Sequence, residues 1–130
     1  MEKTPLDSPI LKASGIRRII AATRYSMQGL IRLWQEEAFR HEVIGFAGAV
    51  IVFAAVGANL ADYLVFFVLA LVLFAVEALN TAIEELVDRI SPEISTVGRH
   101  AKDLGSFAVF CLLWVNGLFV LYVVVRSVWL

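Results

Sequence analysis

Residues 63–93 read YLVFFVLALVLFAVEALNTAIEELVDRISPE. Tyr63 to Val76 carry no charge, yet Glu77, Asn80, Glu84, Glu85 and Asp88 follow with no intervening glycine or proline. Helix formers persist until Ser91-Pro92, so one unbroken helix is predicted from near Tyr63 to about Arg89. Glu77, Asn80, Glu84 and Asp88 are separated by three, four and four positions. At 100° per residue they form one stripe about 80° wide, with Glu85 outside it. A carboxylate at mid-bilayer costs about 2.5–3.5 kcal/mol and is a functional candidate by default. For Asp88, beside Arg89 and the following loop, pairing with a cation at the membrane edge is the better reading. For Glu77, the deepest, it is not.

The whole chain agrees with a membrane reading. Hydrophobic residues make up 60% of the 130 positions, and the mean hydropathy is +0.81. A soluble domain is nearer about 45–50% apolar. The formal net charge of −1 argues against non-specific nucleic-acid binding. The single cysteine, Cys111, excludes a disulfide framework within one chain and reads as a small packing residue. Residues 1–14, with Pro5 and Pro9, have no apolar core, resemble no cleavable signal and read as a disordered arm.

Two further apolar runs flank the opening stretch. Val43 to Ala61 is uncharged and rich in glycine and alanine, near the roughly 20 residues a crossing needs. Leu104 to Val125 is uncharged throughout, and its Ser106 and Asn116 read as helix–helix hydrogen-bonding groups. Spans are predicted at about 37–59, 63–89 and 103–126, with a turn at Asn59–Asp62 and a loop at about 90–102. Before them, Gly15 to Gln35 has helical periodicity. Ile16, Ile19, Ile20, Met27, Ile31 and Trp34 share one face, and Arg17, Arg18, Arg24, Tyr25 and Arg32 the other. That is the pattern of a helix lying in the membrane interface, the alternative being one packed on a soluble core. The predicted fold class is therefore all-α: an amphipathic surface helix and three transmembrane helices in one domain, residues 15–130. Arginines precede the first span, and Arg89, Arg99 and Lys102 lie between the second and third. The first turn has no basic residue. The positive-inside rule then puts the N-terminus and the second loop in the cytoplasm and the C-terminus outside.

A second acidic group, Glu36 and Glu37, precedes the first span, level with Glu84 if the helices are antiparallel neighbours. Two carboxylates from different helices suit Mg²⁺ that also keeps waters and substrate phosphates. Arg99, His100, Lys102 and Asp103 supply a charged loop. Metal, lysine, arginine and a deep base are the parts of phosphoryl transfer, although no Gly-rich nucleotide loop is present. On the residues alone, membrane-interface phosphoryl transfer and an ion-coupled transport site are equally open.

EALNTAIEELVDRISPE, the following GRHAKDLGSFAV and the preceding EEAFRHE resemble the prokaryotic diacylglycerol kinases, over about residues 15–126. The resemblance implies a homotrimeric inner-membrane lipid kinase using Mg-ATP at the cytoplasmic face. KDLGSFAV looks like the diacylglycerol branch rather than the related undecaprenol kinases, which stay an alternative, as does a small ion-coupled transporter of another class. Position by position, the resemblance implies Glu77 as the base toward the lipid hydroxyl and Asn80 as the polar residue beside it. It implies Glu36 and Glu84 as metal ligands. Arg18, Tyr25, Glu36, Glu84, Glu93, Ile94, Ser95, Lys102 and Asp103 would meet the nucleotide. Arg18, Ser26, Trp34, Glu42, Glu77 and Ser106 would line the lipid site. Between Trp34 and Phe39 this chain is one residue shorter than the family pattern, which leaves Glu37 as the alternative to Glu36. His41 stands where glutamine is common and reads as a substituted lipid contact.

Overall fold

A computed structural model describes residues 15–93 and 95–130; the arm expected at 1–14 and Ile94 lie outside the described residues. Among the described residues four helices follow one another: α1 (Ile16–Leu33), α2 (Glu37–Val56), α3 (Leu60–Ile90) and α4 (Thr96–Trp129). The last three are each long and apolar enough to cross a membrane. At 1.5 Å per residue α3 and α4 run about 46 and 51 Å, longer than the roughly 30 Å hydrocarbon core. Each therefore has length to carry a polar end beyond it.

The chain divides into two compact units, one ending at Glu36 and one spanning Glu37–Leu130. The first is α1 and its turn. Ile16, Ile19, Ile20, Met27 and Ile31 are all exposed on it. The chain leaves α1 through Gln35 N–H bonded to Arg32 O and Glu36 N–H bonded to Leu33 O, at 3.1 and 2.9 Å.

In the second unit, local chemistry sets the helix ends. Gly57 takes φ 72°, and Ala58 N–H reaches back to Phe53 O at 2.9 Å, a Schellman end that stops α2 at Val56 rather than near 59. The expected turn at Asn59–Asp62 is a capping box. Asn59 Oδ1 accepts from Asp62 N–H at 2.9 Å and Asp62 Oδ2 accepts from Asn59 N–H at 3.0 Å. It starts α3 at Leu60, three residues before the predicted start. The larger difference is at α4, which begins at Thr96 and not near 103. Ser95 Oγ accepts from Gly98 N–H at 3.0 Å, so an N-cap inside the supposed loop shortens it to 91–95.

α3 packs chiefly on α4, and the core sits where Phe53 of α2, Phe66 of α3 and Val123 of α4 meet. Phe46 stacks on Phe66 and Phe39 meets Phe74 edge-on, both with centroids 5.2 Å apart. Asn116 Nδ2 donates across to Leu69 O at 3.2 Å, as a helix–helix group should. Ser106 and Cys111, also expected at packing positions, are exposed on the single chain.

Candidate functional site

The buried face of α3 is Asp62, Phe66, Ala70, Leu73, Glu77, Asn80 and Thr81. From Asp62 to Glu77 the steps are three or four, and Asn80 and Thr81 follow Glu77 by three and four, so one stripe runs from the apolar core into the acidic row. It turns polar at Glu77, which is 5% exposed, while Asn80 and Thr81 are 8% and 7% exposed. Glu84 is half-buried and Asp88 exposed. The row thus grades from enclosed to open along the helix.

Within it, Asn80 Nδ2 donates to Glu84 Oε1 at 3.3 Å. Asn80 Oδ1 and Glu77 Oε2 are buried without a hydrogen-bond partner. From α2, Glu42 Oε2 is likewise buried and unpartnered. Three buried oxygens with unused acceptor capacity lie in a class of atom that is normally satisfied. On the α4 side, a Cβ at Gly105 would stand 2.2 Å from Asn80 Oδ1. Only a glycine admits the amide there. Glu42 also lines an apolar cavity of ≈ 270 Å³ between α2, α3 and α4, together with Phe46, Phe66, Leu73, Phe74, Leu113 and Asn116 among others.

The open end of the row is built differently. Lys102 Nζ bonds Asp88 Oδ1 at 2.5 Å, joining α4 to α3. The cation expected for Asp88 is therefore Lys102. A cavity of ≈ 160 Å³ is lined by this pair together with Ser91, Glu93, Ser95, Gly98 and Arg99. Ser91 Oγ lies 2.9 Å from Glu93 Oε1 and 3.0 Å from Ser95 Oγ. Glu93's own backbone N–H and the Ser91 hydroxyl hold its carboxyl below the usual carboxylate range.

The remaining expected residues are placed as follows. Asp103 is exposed on α4, and Arg18, Tyr25 and Ser26 are exposed on α1, where the Ser26 hydroxyl donates to Ala22 O at 2.9 Å. Trp34 is half exposed. Glu36 accepts from Arg32 Nη1 at 2.8 Å, whereas Glu37 lies 3.8 Å from His41 along α2. Sequence reasoning passed over Thr81, Gly105 and the Asp88–Lys102 contact. The KDLGS stretch held a signal for Gly105, since a glycine inside an apolar helix marks close approach of another element.

Among the described residues, no three acidic, histidine or cysteine side chains gather to hold a metal ion. The half-buried Glu84 and the unpartnered Asn80 oxygen are hard donors, too few for a protein cage. They fit Mg²⁺, which takes one or two carboxylates and completes its shell with water and substrate phosphates.

The sequence pattern of prokaryotic diacylglycerol kinase matches residues 24–124. The chain belongs to that family. A diacylglycerol kinase of Sinorhizobium sp is 54% identical over 117 residues, covering 90% of this chain and 85% of the relative. One from Haemophilus influenzae is 34% identical over 108 residues, 82% of this chain and 92% of the relative. One from Escherichia coli K12 is 37% identical over 97 residues, 74% and 80% of the two chains. The matched range takes in all of α2 and α3 and most of α4, so as a prokaryotic diacylglycerol kinase family member this chain is an integral membrane protein with Glu77, Asn80 and Glu84 inside the shared region.

Proposed function

We propose that this protein is a diacylglycerol kinase that transfers the γ-phosphoryl group of ATP to the free hydroxyl of diacylglycerol, giving phosphatidic acid. The observation that carries the reading is the buried Glu77 with a free oxygen, set between an apolar cavity and a polar helix end. A lipid brings its acyl chains from the bilayer and its hydroxyl to the boundary, where ATP arrives from water. Glu77 takes the hydroxyl proton as the lipid oxygen bonds to the γ-phosphorus and the bond from phosphorus to the β,γ-bridging oxygen breaks. Asn80 orients the reacting groups through its free amide oxygen. Lys102 exchanges Asp88 for nucleotide phosphate, with Asp103, Arg18, Tyr25, Glu93, Ile94 and Ser95 completing the nucleotide contacts. Glu84 and Glu36 are the oxygen donors for Mg²⁺, which when bound neutralises charge on the β- and γ-phosphates.

The lipid wall comprises Ser26, Trp34, Glu42 and Ser106, and α1 lies in the interface, where its exposed apolar side chains meet acyl chains. Three spanning helices are too few to enclose both a lipid and a nucleotide, so the working unit is a homotrimer with shared sites. The basic residues put the N-terminus and the site at the cytoplasmic face of the bacterial inner membrane, with the C-terminus outside.

The test is transfer of labelled phosphate from ATP to dispersed lipid by the purified protein, with and without Mg²⁺. Diacylglycerol is expected to be labelled, and only with Mg²⁺. Labelling of undecaprenol in preference reassigns the substrate. No transfer to either lipid, with proton-coupled flux in vesicles, moves Glu77 to a transport role.

A further inference from the structure

α4 carries three glycines, Gly98, Gly105 and Gly117, although glycine is among the poorest helix formers. Gly117 is exposed, and a Cβ there would meet nothing within 4 Å. The other two are buried and have no such room. A Cβ at Gly105 would stand 2.2 Å from Asn80 Oδ1. One at Gly98 would stand 3.0 Å from Val87 Cγ1 and 2.9 Å from Ser95 Oγ. Gly98 and Gly105 are seven positions apart, as are Val87 and Asn80. Two turns of α4 therefore lie against two turns of α3, touching at points about 10 Å apart.

Lys102 stands between these points and reaches across to Asp88. That ion pair does not set the helix spacing. Its side chains are 41% and 66% exposed, and exposed pairs contribute little. The glycines set it. At Gly98 the limiting neighbour is Val87, whose β-branched side chain on α3 has one strongly favoured rotamer. Ser95 belongs to the turn that Gly98 itself extends, and its hydroxyl can rotate away at the loss of its cap bond. Carbon atoms in contact sit about 3.5–4.0 Å apart, so a methyl at Gly98 would part α3 and α4 by about 0.5–1 Å.

We infer that Gly98 is a positioning residue for the nucleotide phosphates, acting through Lys102. Its missing side chain lets α4 close on α3 at Val87, which holds the Lys102 ammonium beside Asp88, one turn from Glu84. The inference rests on the kinase reading, with Lys102 a nucleotide contact and Glu84 a Mg²⁺ donor. Those two groups address one triphosphate from different helices. A wider seam carries the ammonium away while Glu84 stays with α3, so the two no longer match one ligand. Asn80 and Glu77 lie at and beyond the Gly105 contact, which a change at Gly98 leaves in place. The effect should therefore fall on ATP affinity before turnover.

The experiment compares detergent-solubilised full-length wild type with Gly98→Ala, Val87→Ala, the double variant of these two, and Gly117→Ala. It measures ATP binding, both KM values, kcat and phosphate transfer. Gly98→Ala should raise Kd and KM for ATP about tenfold and leave KM for diacylglycerol within about twofold. Val87→Ala removes the atom the new methyl meets, so the double variant should bind ATP within about threefold of Val87→Ala. Gly117→Ala should match wild type. In a Lys102→Ala background, Gly98→Ala should change ATP affinity less than about twofold, because the group it positions is gone. A loss that Val87→Ala does not relieve would overturn the inference. Gly98 also lines the ≈ 160 Å³ cavity, and a methyl that blocks nucleotide directly or breaks the Ser95 cap is indifferent to Val87. If Gly98→Ala does not assemble, Val87→Ile presses on the same contact from α3: a raised KM for ATP supports the positioning role, and an unchanged one refutes it. Wild type that transfers no phosphate overturns the proposed function and this inference with it. Active wild type with unaltered ATP affinity in Gly98→Ala overturns this inference alone.

Discussion

Asp62 and Glu77 stand on the same buried stripe of the same helix, about 22 Å apart at 1.5 Å per residue, and are 4% and 5% exposed. Sequence distance and burial treat them alike, but their surroundings do not. Asp62 Oδ2 accepts from Asn59 N–H and from the Arg126 guanidinium of α4, which also lies over the Tyr122 ring at 5.4 Å. The charge has a counter-charge, and the group has a backbone task in capping α3. Among the described residues Glu77 has no ion-pair partner, and it keeps an oxygen without a hydrogen-bond partner. A filled valence holds helices together, whereas an empty one inside a protein waits for a ligand. The two ends of α3 therefore differ in that one buried acid is paired and the other keeps an unpaired oxygen.

The sharpest way to break this contrast is Glu77→Gln. The amide keeps the size and removes the base, so kcat should fall about 10²–10⁴-fold. Thermal stability should hold or rise, since a buried acid without a counter-charge is removed. Near-normal kcat would make Glu77 a second Asp62. Next in size is Gly105→Ala, which never touches the acids. Its methyl displaces Asn80 Oδ1 from a position 2.2 Å from the new Cβ. Displacement of a positioning group by an ångström can cost about 10²-fold, so kcat should drop about 10–10²-fold with KM for both substrates less affected. An unchanged kcat would show that the Asn80 amide has no part in the reaction.

A smaller effect is expected at the metal donors. Glu84→Gln and Glu36→Gln should each raise the Mg²⁺ concentration for half-maximal rate by about tenfold or more, with excess Mg²⁺ recovering much of kcat. Glu37→Gln should leave the Mg²⁺ titration in place. The reverse result, with Glu37 sensitive and Glu36 not, would shift the ligand by one residue, as the shorter segment before Phe39 allows.

Much of this site was legible because helical periodicity is strict. Steps of three and four put Glu77, Asn80 and Glu84 on one face, and the apolar runs gave three spans and an amphipathic helix. What escaped reading depends on neighbours far apart in sequence. Asp88 and Lys102 are 14 positions apart and meet only because α3 and α4 pack antiparallel. Gly105 matters because of an amide on another helix. The start of α4 was misplaced because charge and loop were equated: Arg99, His100 and Lys102 looked like a loop, yet Ser95 caps a helix that carries them. Asp62 was read as turn punctuation, correct for its cap, but its partner lies 64 positions away at Arg126.

That pair supplies the last and, for activity, the smallest effect. If Asp62 and Arg126 only fasten α3 to α4, losing one partner should weaken the fold without touching chemistry. Asp62→Asn keeps an acceptor for the Asn59 N–H but removes the counter-charge, leaving a guanidinium with a 30% exposed side chain against apolar surroundings. Arg126→Met does the converse and strands a carboxylate that is 6% exposed. Arg126→Met should therefore lower Tm more than Asp62→Asn, because its orphaned charge is the more enclosed. Combining Asp62→Asn with Arg126→Met removes both charges, and the double variant should regain most of the Tm lost by Arg126→Met alone, a coupling that a double-mutant cycle measures directly. Below each variant's Tm, kcat and both KM values should match wild type. A fall in kcat in the folded double variant would mean that this end of α3 reaches the chemistry after all. Additive Tm losses would instead show that the contact between Asp62 and Arg126 contributes no coupling across the helices.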